Sequence, residues 1–279
     1  MDDGGRGLVL GGGGVTGIAW ETGLLRGLAE LGVDLSAAGL VVGTSAGSVV
    51  AAQITSGIGL DELFQDQLRE ASGEIAARMS PAALARFAAA AAWPGDRRRA
   101  RAWLGRAALR AETVPESERR AVIEQRLPHH DWPRQRLCIP AVDAETGRVR
   151  VFENDGGVAL VDAVAASCAV PLVWPPVTID GRRYVDGGVR SVTNADLAAH
   201  CERVVVIAPT TAAGRRADRP AAQVAALGGA VRSVVVSPGP AAKQAMGRNP
   251  LDPARRRAAA LAGRAQAPEV ADQVRAAWT

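Results

Sequence analysis

The chain has 279 residues, 48% hydrophobic and 22% charged, a balance that allows one sizeable buried core and excludes a disordered chain. Its formal charge of +4 rests almost wholly on arginine, in short clusters such as Arg97-Arg98-Arg99, Arg215-Arg216 and Arg255-Arg256-Arg257. These read first as solvated surface, with anionic headgroups or phosphate-bearing substrates as the functional alternative, while a single tyrosine and no zinc-finger spacing speak against nucleic acid.

In chain order, Leu8-Val9-Leu10 is a short strand ended by four glycines. Ile18, Leu24, Leu25, Leu28 and Leu31 then recur at helical spacing up to a stop at Gly32. Leu40-Val41-Val42 is a second strand, and a helix runs from Ser45 to about Ile54. Residues 60–127 are rich in Ala, Arg, Leu and Glu and broken at Pro81, Pro94-Gly95 and Pro115, which predicts a helical insertion. Its segment Ala82 to Trp93 reads first as a helix buried on the core; the functional alternative is an amphipathic lid anchored by Phe87, Trp93 and Trp103. Strands return at Arg136–Asp143 and Arg148–Glu153, followed by a helix over Ala159–Ala169 and a stiff apolar loop from Pro171 to Pro176. Val177 to Gly188 reads as a hairpin turning at Asp180-Gly181, then a helical "ADLAAH" and a strand over Arg203–Pro209. Beyond Gly214 the chain is Ala- and Arg-rich and mostly helical, with "VRSVVVSPGP" as one ambiguous strand-like stretch. The alternation predicts a parallel sheet with helical crossovers.

The acidic start "MDDGG" lacks the pattern of a signal peptide, and no apolar run reaches the ~20 residues that a membrane-spanning helix needs. The expectation is a cytoplasmic protein, with peripheral contact at a membrane surface as an option. Cys138, Cys168 and Cys201 are few and scattered, so they read as buried reduced thiols rather than disulfides or a metal motif.

Two motifs carry chemistry. The loop "GGGGVTG" fails the phosphate-loop pattern, because Ile18-Ala19 stand where Lys and Ser/Thr are required. Gly12-x-Gly14-x-x-Gly17 matches the dinucleotide fingerprint, which keeps an NAD(P)-binding oxidoreductase open, although Asp34 ends no convincing strand. The same glycines at a helix N-terminus would expose amides able to stabilise an oxyanion. "GTSAG", with Ser45 between Gly43 and Gly47 after a strand and before a helix, is the context of a nucleophile elbow, and Ser48 reads as a packing or capping residue.

The base for Ser45 is the difficulty. His129 and His130 lie in a Pro-flanked loop and His200 ends a helix, so each reads as structural or exposed. A carboxylate is the alternative, and both Asp155 and Asp186 precede two glycines; spacing alone does not choose between them.

"GGGVTG", "GTSAG" and "DGG" in this order, with the block Leu160 to Ala198, resemble the patatin-like phospholipases. The resemblance spans roughly Gly7 to Pro209 and implies a three-layer α/β/α sandwich with a mainly parallel central sheet. It implies a dyad of Ser45 as nucleophile and Asp186 as base, with Asp155 in a variable loop. Gly12, Gly13 and Gly14 would supply the oxyanion hole, supported by Gly17, Gly43, Gly47, Gly187, Gly188 and Asn194. Thr16 stands where the family usually carries Arg or Lys, and Ala195 where it often carries Pro. The implied activity is hydrolysis of lipid acyl esters with no metal or organic cofactor, and a catalytically silent scaffold of the same fold is the other alternative. The expected organisation is a core over 6–210 and a mostly helical extension over 211–279 packed on it.

Overall fold

A computed structural model describes residues 5–70, 73–211 and 215–279; the acidic residues 1–4 and the start of the C-terminal segment at Gly214 lie outside the described residues. The strands are β1 (Arg6–Leu10), β2 (Leu40–Gly43), β3 (Arg136–Asp143), β4 (Val149–Phe152), β5 (Val177–Ile179), β6 (Arg182–Asp186), β7 (Arg203–Ile207) and β8 (Arg232–Val236). They form one sheet in the order β5-β6-β3-β2-β1-β7-β8, with β4 paired to β3. The run β3-β2-β1-β7-β8 is parallel, and β4, β5 and β6 add an antiparallel corner.

Side chains alternate across a strand, and here both faces are apolar. Leu8, Leu10, Val41, Val205 and Ile207 feed one core, while Val9, Leu40, Val42, Val204 and Val206 feed the other. The helices are α1 (Gly14–Glu30), α2 (Ala46–Ile54), α3 (Leu60–Leu68), α4 (Pro81–Ala91), α5 (Arg97–Ala108), α6 (Glu116–Arg126), α7 (Leu160–Ser167), α8 (Pro220–Ala225), α9 (Pro240–Met246) and α10 (Arg256–Trp278). Helices α1, α2, α7 and α10 contribute to the larger core. On the other face lie the short turn Ala195–Ala198 and residues of and around α8, so that layer is thin. This is the expected mainly parallel α/β/α arrangement.

Two expectations about elements change. The ambiguous "VRSVVV" contains β8, which pairs in parallel with β7 from Arg203↔Arg232 to Ile207↔Val236, so the C-terminal segment extends the sheet as well as adding helices. Ala82 to Trp93 is not a core helix: Ala83 is the buried residue of α4, and Leu84 is 54% exposed. A helix of mostly alanine offers too little apolar area to bury itself against the core.

The register sets the site. Leu10 lies level with Gly43 on one side and Ile207 on the other. The chain therefore leaves β1, β2 and β7 along one carboxyl edge, where ligand crevices of parallel sheets form.

Candidate active site

Ser45 sits between β2 and α2 at φ 53° and ψ −120°, a left-handed-side conformation that costs an L-residue of order 1–3 kcal/mol. Neighbours hold it there. Its N–H donates to Ser167 Oγ at 3.0 Å, and Ser167 Oγ donates to the Pro140 carbonyl at 2.8 Å. Its carbonyl accepts from Ser48 Oγ at 2.6 Å and Cys168 Sγ at 3.2 Å. The flanking glycines are obligatory for packing: a Cβ on Gly43 would lie 2.6 Å from the Gly47 oxygen, and one on Gly47 would lie 2.2 Å from the Leu10 oxygen.

Asp186 ends β6, beside Ala141 of β3, and only 5% of it is exposed. Its N–H donates to the Ala169 carbonyl at 2.9 Å, and its Oδ1 accepts from the Gly188 N–H at 2.6 Å. The double glycine follows from crowding, since a Cβ on Gly187 would meet the Pro140 oxygen at 2.3 Å and one on Gly188 would meet Asp186 Oδ1 at 2.9 Å. Burial pushes the Asp186 carboxyl up to about 7, against the pull of the Ser45 hydroxyl and the Gly188 N–H, which favour the charged form. Asp186 Oδ2 is buried with no hydrogen-bond partner of ordinary geometry among the described residues. Ser45 and Asp186 thus sit close enough for the hydroxyl to act on the carboxyl, and both line the same cavity.

Asn194, itself left-handed at φ 53°, ties the two halves together. Its Nδ2 donates to Thr44 Oγ1 at 3.0 Å, to the Ser191 carbonyl at 2.8 Å and, more weakly, to the Gly187 carbonyl at 3.4 Å. One side chain bridges the elbow and the loop of the acid.

The glycine loop requires a correction. The Gly12 N–H donates to the Val192 carbonyl at 2.8 Å and so is not a free oxyanion donor. Gly12 instead keeps the loop close to the nucleophile, since a Cβ there would stand 3.5 Å from Ser45 Cβ. Among the described residues the Gly13 and Gly14 amides have no hydrogen-bond acceptor, and neither does that of Ala46. Gly13 and Gly17 pack over Pro209, and Gly14 takes φ +62° against the Pro250 carbonyl. Glu21, fully buried and with its pKa raised well above the usual range by burial, accepts from the Gly11 N–H at 3.0 Å and steadies the loop from beneath. Thr16 donates its N–H to the Pro250 carbonyl at 3.1 Å, so this donor of the first turn of α1 is already taken.

Ser45, Asp186 and Gly12 to Gly14 line one cavity of about 560 Å³, within the range of small-molecule sites. Phe87, Ala88, Ala90 and Ala91 of α4 form part of its wall, and so do residues of α5 and Leu251 from the C-terminal segment. Trp93 and Trp103, candidate anchors under the lid alternative, pack against each other with ring centroids 5.6 Å apart. No histidine lines the cavity; His129, His130 and His200 are exposed, and so is Asp155. Burial pushes the Cys138 thiol up to about 12 and the Cys168 thiol up to about 11, so both are held as neutral thiols. Ser167, Glu21 and the Pro250 segment were not singled out from sequence, because no local pattern distinguishes them, and Cys168 was read only as a buried thiol.

A mainly parallel sheet with a serine on a strained strand-to-helix turn and a buried aspartate beside it is a nucleophile-elbow α/β architecture. A family profile described as Patatin-like phospholipase matches residues 8–199, and the chain belongs to that family. VipD from Legionella pneumophila is similar in structure at 14% identity and a TM-score of 0.49, covering 96% of this chain and 66% of that one. The type III effector protein ExoU is similar at 15% identity and a TM-score of 0.37, covering 97% of this chain and 53% of its own. The chain therefore spans less than two thirds of the length of either. No curated protein matches the chain in sequence.

Proposed function

We propose that this chain is a serine acyl-ester hydrolase of lipase or phospholipase A type, acting through Ser45 and Asp186. The observation that carries the reading is the strained Ser45 beside a buried Asp186 in one cavity with the glycine loop. Asp186 takes the proton as Ser45 Oγ attacks the acyl carbonyl. The Gly13 and Gly14 amides, and the Ala46 amide behind the nucleophile, receive the oxyanion at helix N-termini. Collapse expels the alcohol with the proton from Asp186 and leaves an acyl-Ser45 ester. Asp186 then deprotonates water for the second attack, and the proton returns to Ser45 as the carboxylic acid leaves.

A carboxyl with its pKa near 7 suits this exchange, because it both accepts and returns a proton near neutral pH. Cytoplasmic action at a lipid surface fits the absence, among the described residues, of a helix long and apolar enough to cross a membrane. The catalytic core occupies 6–210, and residues 211–279 complete its sheet and one wall of its cavity.

Turnover of a chromogenic acyl ester and of a 1-acyl lysophospholipid tests the assignment. Wild type turns them over, whereas Ser45→Ala and Asp186→Asn each fall by at least about a thousandfold while remaining folded. Asp155→Asn retains activity. An active Asp186→Asn with a dead Asp155→Asn would sink the dyad.

A further inference from the structure

One buried acid takes no part in the acyl transfer described above. Glu21 lies on α1 with no exposed surface. Its Oε1 accepts from the Gly11 N–H at 3.0 Å, and its Oε2 is buried without a partner among the described residues. Burial pushes its pKa up, and no charged side chain is among the groups that shift it, so no cation compensates the carboxyl. Packing alone gives no reason for such a group, because a buried acid without a counter-charge costs stability that an apolar side chain does not.

The hydrogen bonds around Gly11 supply the reason. Its N–H already has an acceptor on β7, the Ile207 carbonyl at 2.9 Å, so Glu21 adds a second hold rather than rescuing an orphan donor. The carbonyl of the same peptide, that of Leu10, accepts from the Thr44 N–H at 2.9 Å. The next carbonyl, that of Gly11, accepts from the Gly47 N–H at 3.0 Å, a donor shared with the Thr44 carbonyl. Thr44 and Gly47 flank Ser45. The peptide that Glu21 grips therefore carries the elbow on its other edge, and the loop that continues from it bears the Gly13 and Gly14 amides. The surroundings are tight, since a Cβ on Gly11 would stand 3.2 Å from the Ile207 oxygen, the Val192 oxygen and Thr193 Cγ2.

We propose that Glu21 is a positioning residue that, by gripping Gly11, fixes the glycine loop in register with the nucleophile elbow, so that the loop amides and Ser45 face one acyl carbonyl. The acyl carbonyl rests on the hydrolase reading, whereas the link between loop and elbow does not. Glu21 does not line the cavity and acts only through Gly11. Acylation and deacylation both pass through an oxyanion, so a loosened loop lowers kcat and leaves ground-state binding alone.

Turnover of a chromogenic acyl ester by Glu21→Leu, Glu21→Met and Glu21→Gln, beside their melting temperatures, tests the role. Glu21→Leu and Glu21→Met should each lower kcat about tenfold or more with KM within about twofold. Both should melt no lower than wild type, because Gly11 keeps Ile207 as its acceptor. Methionine is the more flexible filler and covers the event that leucine does not fit. Glu21→Gln retains an acceptor for the Gly11 N–H and should hold kcat within about threefold of wild type. Unchanged kcat in both apolar variants overturns the proposal, and so does a loss in Glu21→Gln equal to theirs. A loss of kcat that comes with a lower melting temperature in both, or a raised KM at constant kcat, also overturns it. Hydrogen exchange at the Gly47 amide, followed by NMR, reads the link without turnover: it should quicken in the apolar variants and not in Glu21→Gln. That pattern in a protein that turns over no ester would support the link while sinking the hydrolase reading, and unchanged exchange in the apolar variants overturns the link.

Discussion

Ser45 and Asp186 each hold an unfavourable state that their neighbours enforce. The serine backbone is held at positive φ by Ser167, Ser48 and Cys168, and burial disfavours the charged form of the aspartate. The second has a pH consequence. The Asp186 pKa rises from 3.8 to about 7 on folding, so the base is made available only as the pH passes about 7. We expect kcat/KM to rise through that value and level off above it, which a pH–rate profile checks. Stability moves the other way. Below 3.8 the group is protonated in both states, and between 3.8 and about 7 the unfolded chain releases its proton first, so this contribution to stability falls as pH rises. Asp186→Asn removes that part of the decline, which melting temperatures at pH 4 and pH 8 will show.

At the scale of elements, α4 is the informative one. It places Phe87 and small alanines against the cavity while Leu84 faces outward, which makes it a wall of that cavity rather than part of the core. Phe87→Ala should lower kcat/KM for a long-chain ester roughly tenfold and leave a butyrate ester within about twofold, as measured on a chain-length series. The sequence showed α4 as a helix but not its place, because a run of alanines has no apolar stripe to orient it. The elbow was legible for the opposite reason, whereas two Asp-Gly-Gly turns competed in the sequence and only the resemblance singled out Asp186. Gly43, Gly47 and Gly187 are required by backbone atoms within 3 Å of where a side chain would begin. Gly12 was misread because its N–H goes to Val192, 180 residues away in the chain, which no local pattern reveals.

Across the whole molecule, the C-terminal helix α10 is packed closely on α1. Gly23 and Gly27 of α1 and Gly263 of α10 let the two helices pack backbone to backbone; a Cβ on Gly263 would lie 2.2 Å from the Trp20 oxygen. Trp20 Nε1 donates to Gln266 at 3.2 Å and Trp278 Nε1 to the Asp34 carbonyl at 3.1 Å, clasping α10 at both points. Gly263→Val should cost roughly 3 kcal/mol in urea unfolding, and truncation after Arg255 should leave no cooperative transition by circular dichroism. Both the alternating strands and the resemblance pointed to the sheet, but β8 was visible only as an ambiguous strand-like stretch, because it follows glycines and an irregular segment. Its pairing with β7 is a tertiary fact.

The central claim, an activated Ser45 in an acyl-binding cavity, is tested most directly by intact-mass analysis after treatment with a long-chain fluorophosphonate. The account predicts one adduct on wild type and none on Ser45→Ala. No adduct on folded wild type, or an adduct that survives in Ser45→Ala, would contradict it.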